Sequence, residues 1–193
     1  MEQNHALSLF RRAGAYLEGH FQLSSGLHSP GYMQSALVLA YPGDGEAFGR
    51  ALAAGMKQLA PTVVLSPALG GIIIGHEVAR ALGVRAIFAE RGAPPTPTLS
   101  LRRGFELGPA DRVLVVEDVF TTGGSTRETM EVARAAGAQV VAAAAIVDRS
   151  GGTIDFGVPY KTLITMALPT YLPAECPLCK EGVPVTKPGS RQA

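Results

Sequence analysis

The chain has 193 residues, of which 47% are hydrophobic and 17% charged, and its formal net charge is +1. This length suits one domain with room for a small accessory piece. A near-neutral chain without a Lys/Arg-rich run does not support nucleic-acid binding. The longest apolar run, 140–147, is too short to span a bilayer, and the start of the sequence lacks the basic-then-apolar order of a signal peptide. We therefore expect a cytoplasmic protein.

The N-terminal part of the sequence predicts a helix, a hairpin and a second helix. Apolar residues recur at helical spacing in residues 4–17 and again in residues 44–60, where Pro61 ends the helix. Between them, residues 19–34 form two extended pieces around a Ser-Ser-Gly turn. They contain too few apolar side chains to be core.

From residue 62 onward, apolar strands alternate with helices. This order predicts an α/β fold with a largely parallel sheet and helices on both faces. Ligands of such sheets gather at the carboxyl ends of the strands. The predicted strands are 62–65, 85–89, 113–116, 140–147 and 161–165.

A turn rich in hydroxyls and glycine, residues 121–126, connects the third of these strands to a helix. Ser125 and Glu128 have the spacing of a capping box at the start of that helix, and Gly137 ends it. Unsatisfied backbone N–H groups and the helix dipole attract anions to such a start. The two glycines allow successive amides to face one anion, so the turn predicts a phosphate site.

Two adjacent carboxylates, Glu117 and Asp118, precede this turn. Carboxylates do not bind phosphate, but they suit sugar hydroxyls or a water-bridged Mg²⁺. A ligand with a phosphate at one end and a vicinal diol nearby is a ribose 5-phosphate. The turn lacks the Gly-Lys-Ser/Thr ending of a Walker A motif and is not GxGxxG. The alternative is a solvated turn with accidental acids.

Residues 113–126, VLVVEDVFTTGGST, resemble the phosphoribosyl-diphosphate (PRPP) signature of the type I phosphoribosyltransferases. The resemblance implies that family's fold, here a mostly parallel five-stranded sheet flanked by helices, with a small N-terminal hood. It also implies that the turn after the first sheet strand is the pyrophosphate loop. The residues implied to bind PRPP are Glu117, Asp118, Val119, Phe120, Thr121, Thr122, Gly123, Gly124 and Ser125, with Ala68, Leu69 and Gly70 of the pyrophosphate loop and Arg91.

Residues 21–32 fit F-x-L-x-S-G-x-x-S-P-x-Y, which resembles the hood motif of the orotate phosphoribosyltransferases. In that family the aromatic after Ser-Pro packs against the orotate ring, which implies this role for Tyr32. The family arginine that contacts orotate corresponds to Arg149, and Thr121 is implied to join it. The alternatives are Tyr32 as a half-exposed hairpin aromatic and Arg149 as half of a surface pair with Asp148.

Residues 91–103 begin with a proline-rich run and read as a surface flap. The flap corresponds in position to the family's catalytic loop, which reaches into the neighbouring subunit's site, but only Arg91 matches the family pattern. The lysines and histidine usual there are missing, and the lysines expected at two further positions are Ser24 and Gly70. Arg102 is one available substitute cation. The residues that we assign to catalysis are Glu117, Asp118, Arg91 and Arg103.

The resemblance implies that orotate and PRPP react to give orotidine 5′-monophosphate and diphosphate. Mg²⁺ is the implied cofactor, held mainly by PRPP oxygens and through water by Asp118. The implied assembly is a homodimer with shared active sites, without nucleic-acid or membrane partners. A purine phosphoribosyltransferase and a PRPP-sensing regulator are the alternatives. We expect one domain, 1–193, with a core at 44–165 and a hood formed by 1–40 and the tail 166–193.

The only cysteines form Cys176-Pro177-Leu178-Cys179. Such a CxxC is half a zinc site, a redox pair or two structural thiols. Zinc needs two more ligands, and the second half of the sequence contains no histidine and no other cysteine. The role of the pair therefore stays open.

Overall fold

The structure is a computed structural model that describes residues 1–23, 25–92 and 98–188. Ser24 and the centre of the predicted flap, 93–97, lie outside this part of the chain. The strands are β1 (Tyr16–Gln22), β2 (His28–Met33), β3 (Val63–Pro67), β4 (Arg85–Arg91), β5 (Leu99–Leu101), β6 (Arg112–Phe120), β7 (Gln139–Asp148) and β8 (Tyr160–Thr165). The helices are α1 (Gln3–Arg12), α2 (Ser35–Leu39), α3 (Pro42–Met56), α4 (Gly70–Leu82), α5 (Gly124–Ala135) and α6 (Pro177–Lys180), with a 3₁₀ turn at Lys57–Leu59.

The main sheet has the strand order β5-β4-β3-β6-β7-β8. The five predicted strands are present and pair in parallel. A short edge strand, β5, adds an antiparallel pairing to β4, with Arg91 opposite Leu99. The sheet is therefore mixed, and the carboxyl ends of β3, β6 and β7 lie side by side at its centre.

Helices cover both faces of this sheet, as the alternation of strands and helices predicts. Successive residues of β6 point to opposite sides: Leu114 and Val116 pack in the cluster that contains helices α1 to α4, whereas Val113 and Val115 pack in the cluster with α5. The alanines of β7 divide in the same way. Because these side chains are small, helices can approach the sheet closely from both sides.

The first helix is shorter than the sequence pattern predicts. The expected helix over residues 4–17 is wrong beyond Arg12, because Gly14 adopts a left-handed conformation with φ 62°. The amide of Ala15 then donates to the Phe10 carbonyl at 2.8 Å, which closes the helix. Leu17 consequently lies on β1, and the chain enters the hood earlier than expected.

The hood hairpin pairs β1 with β2 in antiparallel order. The C-terminal tail flanks it on both sides. The amides of His28 and Tyr171 each donate to the carbonyl of the other residue at 2.9 Å, and Gln22 N–H donates to the Thr186 carbonyl at 2.8 Å. In the described part of the chain, no helix combines the length and apolar character that crossing a membrane requires.

Candidate active site

The predicted acidic pair lies at the carboxyl end of β6, where the strand meets the turn before α5. Glu117 is only 6% exposed, and Asp118 is partly buried. The Ser125 hydroxyl donates to Glu117 Oε2 at 3.0 Å. The Asp118 carboxylate instead accepts the Val119 amide at 2.8 Å. Glu117 is therefore held inside the protein, whereas Asp118 is partly exposed to solvent.

Burial raises the pKa of Glu117 well above its ordinary value of 4.5. The negative charge of Asp118 and a hydrogen bond to it raise this pKa further, whereas the Ser125 hydroxyl opposes the shift. Two adjacent carboxyl groups resist carrying two charges in a poorly solvated place. In the ligand-free protein, a protonated Glu117 can donate a hydrogen bond as well as accept one.

The turn before α5 has the left-handed glycine that the predicted phosphate site uses, but it lacks the predicted capping box. The N-terminal capping residue is Gly123, with φ 77°, and no side chain caps the helix. The capping-box prediction is wrong because the Ser125 hydroxyl donates to Glu117, and Glu128 accepts hydrogen bonds from Nη1 and Nη2 of Arg91. Among the described residues, no side chain therefore accepts a hydrogen bond from the amides at the helix start.

An arginine and a phenylalanine that the sequence analysis did not single out hold the turn in place. Arg127 Nη1 donates to the Thr122 carbonyl at 2.7 Å, and its guanidinium carbon lies 5.3 Å from the centre of the Phe156 ring. A Cβ atom at Gly123 would lie 2.8 Å from Phe156 Cε1. Both the left-handed backbone and this contact therefore require glycine at position 123. No motif in the sequence marked either contact residue.

The predicted pyrophosphate loop contacts the acidic pair. A Cβ atom at Gly70 would lie 2.8 Å from Asp118 Oδ1, and one at Gly71 would lie 3.2 Å from Glu117 Oε1. Leu69 is 78% exposed at the tip of the loop. The structure thus brings the predicted PRPP-binding segments together. It also gives a physical reason for glycine at position 70, since a side chain there would displace the Asp118 carboxylate.

Arg149 follows β7 and has a partly buried guanidinium group. Its Nε atom is buried and has no hydrogen-bond partner among the described residues. Burial lowers the pKa of Arg149. The neighbouring Asp148 is fully buried and accepts hydrogen bonds from the Ser150 amide at 2.7 Å and the Gly152 amide at 3.1 Å. The alternative of an Asp148–Arg149 surface pair is therefore wrong.

Tyr32 lies on strand β2 of the hood hairpin, near Arg149. Burial and the charge of Asp118 raise the pKa of the Tyr32 phenol, whereas the positive charge of Arg149 lowers it. The three side chains therefore lie within electrostatic reach of one another. Thr121, the other predicted orotate contact, is exposed at the start of the turn.

The predicted flap arginines are bonded within their own chain. Arg91 forms a bidentate pair with Glu128, at 2.9 and 2.7 Å. Arg103 pairs with Glu90 at 2.8 Å and lies over the Phe88 ring. Arg102 is exposed. A role in a neighbouring active site requires Arg91 and Arg103 to leave these partners, so that role stays a prediction.

A family model described as a phosphoribosyl transferase domain matches residues 46–165. The orotate phosphoribosyltransferase of Caldanaerobacter subterraneus subsp. tengcongensis is 50% identical over 192 residues, which cover 100% of both chains. That of Heliobacterium modesticaldum is 52% identical over 193 residues, covering 99% of this chain and 100% of the relative.

The crystal structure of orotate phosphoribosyltransferase from Aeropyrum pernix is similar to this one, with a TM-score of 0.68 and 28% sequence identity. The match covers 82% of this chain and 92% of that structure. The family resemblance, the fold class and the enzyme class predicted from the sequence are confirmed. The chain therefore belongs to the orotate phosphoribosyltransferases, within the phosphoribosyltransferase family.

Proposed function

We propose that this enzyme joins orotate to the ribose 5-phosphate of PRPP, giving orotidine 5′-monophosphate and diphosphate for pyrimidine synthesis. The observation that carries the choice of base is Arg149, whose buried Nε atom has no partner among the described residues. A planar guanidinium grips a carboxylate through two parallel hydrogen bonds. Orotate carries a ring carboxylate, whereas adenine, guanine and hypoxanthine carry none.

The base lies between the hood and the sheet in this proposal. Tyr32 supplies a half-buried aromatic face near Arg149. Aromatic rings pack favourably on planar heterocycles such as orotate. Thr121 is close in sequence to Phe120, whose carbonyl accepts the Arg149 amide at 2.9 Å. That hydrogen bond keeps the end of β7 next to the start of the PRPP turn, so base and ribose sites adjoin.

Within the proposed PRPP site, the protein binds the two ends of the sugar differently. Amides and hydroxyls of the turn at 121–126 anchor the 5′-phosphate, and Glu117 with Asp118 holds the ribose hydroxyls. Positive charge develops at C1 of the ribose as diphosphate leaves, and fixed carboxylates nearby stabilise that charge. In this proposal, binding aligns the two reactants, and no covalent nucleophile is required.

The acidic pair also fits a magnesium ion. Mg²⁺ in phosphate-transferring sites keeps several waters and binds through one or two carboxylates plus substrate phosphates. Asp118 is partly buried beside the predicted pyrophosphate loop, which supports the proposal that its carboxylate holds such an ion through water. When bound, Mg²⁺ neutralises negative charge on the departing diphosphate. The arginines of residues 91–103 are proposed to add positive charge from a partner subunit.

A base-competition assay tests the proposed function. The purified protein is incubated with PRPP, Mg²⁺ and one of orotate, adenine, guanine or hypoxanthine. We expect consumption of orotate alone, and loss of activity when Mg²⁺ is removed and its return when Mg²⁺ is restored. Faster turnover of any purine base than of orotate would contradict the assignment of the base site. PRPP binding without turnover of any base would favour a PRPP-sensing regulator.

A further inference from the structure

Four side chains with metal-binding atoms meet between the hood hairpin and the tail. They come from segments far apart in the sequence: His20 on β1, His28 on β2, and Cys176 and Cys179 at the start of α6. Their ligand atoms all lie within 4.8 Å of one another. Both cysteines are free thiols. The two ligands that the CxxC lacks in the nearby sequence are thus supplied by the hood.

Three of the distances between these atoms match those around one tetrahedral ion. His20 Nε2 lies 3.5 Å from Cys176 Sγ and 3.7 Å from Cys179 Sγ, and Cys179 Sγ lies 3.3 Å from His28 Nδ1. Tetrahedral zinc with its usual bond lengths places such atoms about 3.3–3.8 Å apart. The separation of His20 Nε2 and His28 Nδ1, 2.8 Å, is shorter. A small movement of the two imidazole rings away from each other would bring this separation into the range expected for tetrahedral zinc.

The first histidine is also held in the correct tautomer. His20 Nδ1 lies 2.7 Å from the Val183 carbonyl, which can only accept a hydrogen bond. The proton is therefore on Nδ1, which leaves the lone pair of Nε2 available within 3.7 Å of both sulfur atoms. A backbone carbonyl that orients a ligand histidine in this way is a usual companion of protein metal sites.

Burial and charge indicate the kind of ion. His20, His28 and Cys176 are at most 5% exposed, so an ion bound to them would be largely shielded from water. Two thiolates balance the charge of one divalent cation, and two neutral imidazoles complete four ligands. A Cys₂His₂ set is a closed zinc site of the structural class, because it leaves no open position for substrate.

We propose that His20, His28, Cys176 and Cys179 bind one structural Zn²⁺ ion that fastens the tail to the hood. The backbone already pairs these parts on both sides of the site, through Tyr171 with His28 and Thr186 with His20. β2 carries His28 at its start and Tyr32 near its end. The ion therefore stabilises the strand that presents Tyr32 to the base site, and it is separate from the catalytic Mg²⁺.

Metal analysis of the intact protein tests this proposal. Protein purified under reducing conditions from zinc-supplemented cells should contain about one zinc per chain by mass spectrometry. The variants Cys179→Ser and His20→Ala should lose most of this zinc. His76→Ala, which changes an exposed histidine outside the cluster, should retain it. Wild-type protein without zinc, with both thiols reduced or joined as a disulfide, would overturn the proposal.

Cobalt substitution gives a second readout that does not depend on any variant folding. Wild-type protein stripped of metal and reloaded with Co²⁺ should show the thiolate charge-transfer and tetrahedral absorption bands of a two-sulfur site. Removing zinc with a chelator should lower the melting temperature, and adding Zn²⁺ should restore it. An octahedral Co²⁺ spectrum without thiolate bands, or a melting temperature indifferent to zinc, would refute the site.

Discussion

Ser125 donates a hydrogen bond to Glu117 across the turn that separates β6 from α5, with 3.0 Å between Oγ and Oε2. This contact ties the first turn of the helix to the acidic end of the strand. The hydroxyl predicted to cap the helix is therefore used to stabilise a buried carboxyl group. The predicted phosphate turn, residues 121–126, and Glu117, proposed to bind the ribose, consequently hold their positions relative to each other.

Replacing Glu117 with glutamine should stabilise the ligand-free protein at neutral pH and reduce its activity. Burial raises the folded-state pKa of Glu117 above 4.5, the ordinary value that applies in the unfolded state. At a pH between the unfolded-state and folded-state pKa values, the native state therefore holds a proton that the unfolded state has released. Wild-type stability therefore falls as pH rises through this window. Glutamine does not ionise, so the advantage of Glu117→Gln should grow with pH.

Thermal unfolding of both proteins between pH 4 and 8 measures this difference. Glu131→Gln, at an exposed position on α5, is the matched control and should follow the wild type. A Glu117→Gln protein that is less stable than wild type at pH 8 would show that the ionised carboxylate is favoured in the folded state, contrary to the burial argument.

Replacing Arg149 with alanine should weaken orotate binding and leave PRPP binding nearly unchanged. A hydrogen bond to a charged group contributes about 1.5–3 kcal/mol, which corresponds to roughly a 10- to 150-fold rise in the dissociation constant. Arg149→Lys keeps the charge but not the planar fork, so its loss should be intermediate. Calorimetric titration of each ligand checks both variants, with the exposed Arg134→Ala as control. Equal losses for orotate and PRPP would contradict the role of Arg149.

Gly49 allows α3 to approach α4 closely, and Gly49→Ala should destabilise the fold. A Cβ atom there would lie 2.7 Å from the backbone carbonyl carbon of Glu77 on α4, which cannot move aside like a side chain. Overpacking of this kind costs about 1–3 kcal/mol. On the same helix, Gly43 is exposed with nothing within 4 Å of its built Cβ, so Gly43→Ala should be neutral or slightly stabilising. Urea denaturation compares the two variants.

Shared active sites predict that two inactive variants restore activity when their subunits mix. One variant carries Glu117→Gln and Asp118→Asn, and the other carries Arg91→Ala and Arg103→Ala. In a mixed dimer one site keeps both parts, so activity should return toward about a quarter of wild type when half of the dimers are mixed. Refolding the two variants together and assaying orotate consumption measures this return.

A control is needed because Arg91→Ala also breaks the ion pair with Glu128. Glu128→Gln weakens that pair but keeps the arginine, so it should retain activity if Arg91 acts on PRPP in the neighbouring site. Mixed dimers that form but stay inactive would place the arginines in their own subunit's site or outside the reaction.

The sequence by itself determined the fold class and the family. Apolar strands between helices predict the parallel sheet, because a strand buried on both faces needs a continuous apolar run. The order of acids, hydroxyls and glycines after β6 predicts a phosphate site, since all these residues are neighbours along the chain. Local information sufficed to make that prediction. The boundary of hood, tail and core, and the site roles themselves, stay predictions.

Tertiary structure decided the contacts between residues far apart in the sequence. The spacing of Ser125 and Glu128 predicts that the two residues form a capping box. In the folded chain, Ser125 instead donates to Glu117, and Glu128 accepts from Arg91. The pairing of Cys176 with His20 joins residues at opposite ends of the sequence. No local pattern encodes it, because the hood and tail become neighbours only when the backbone of residues 171–186 pairs with the hairpin.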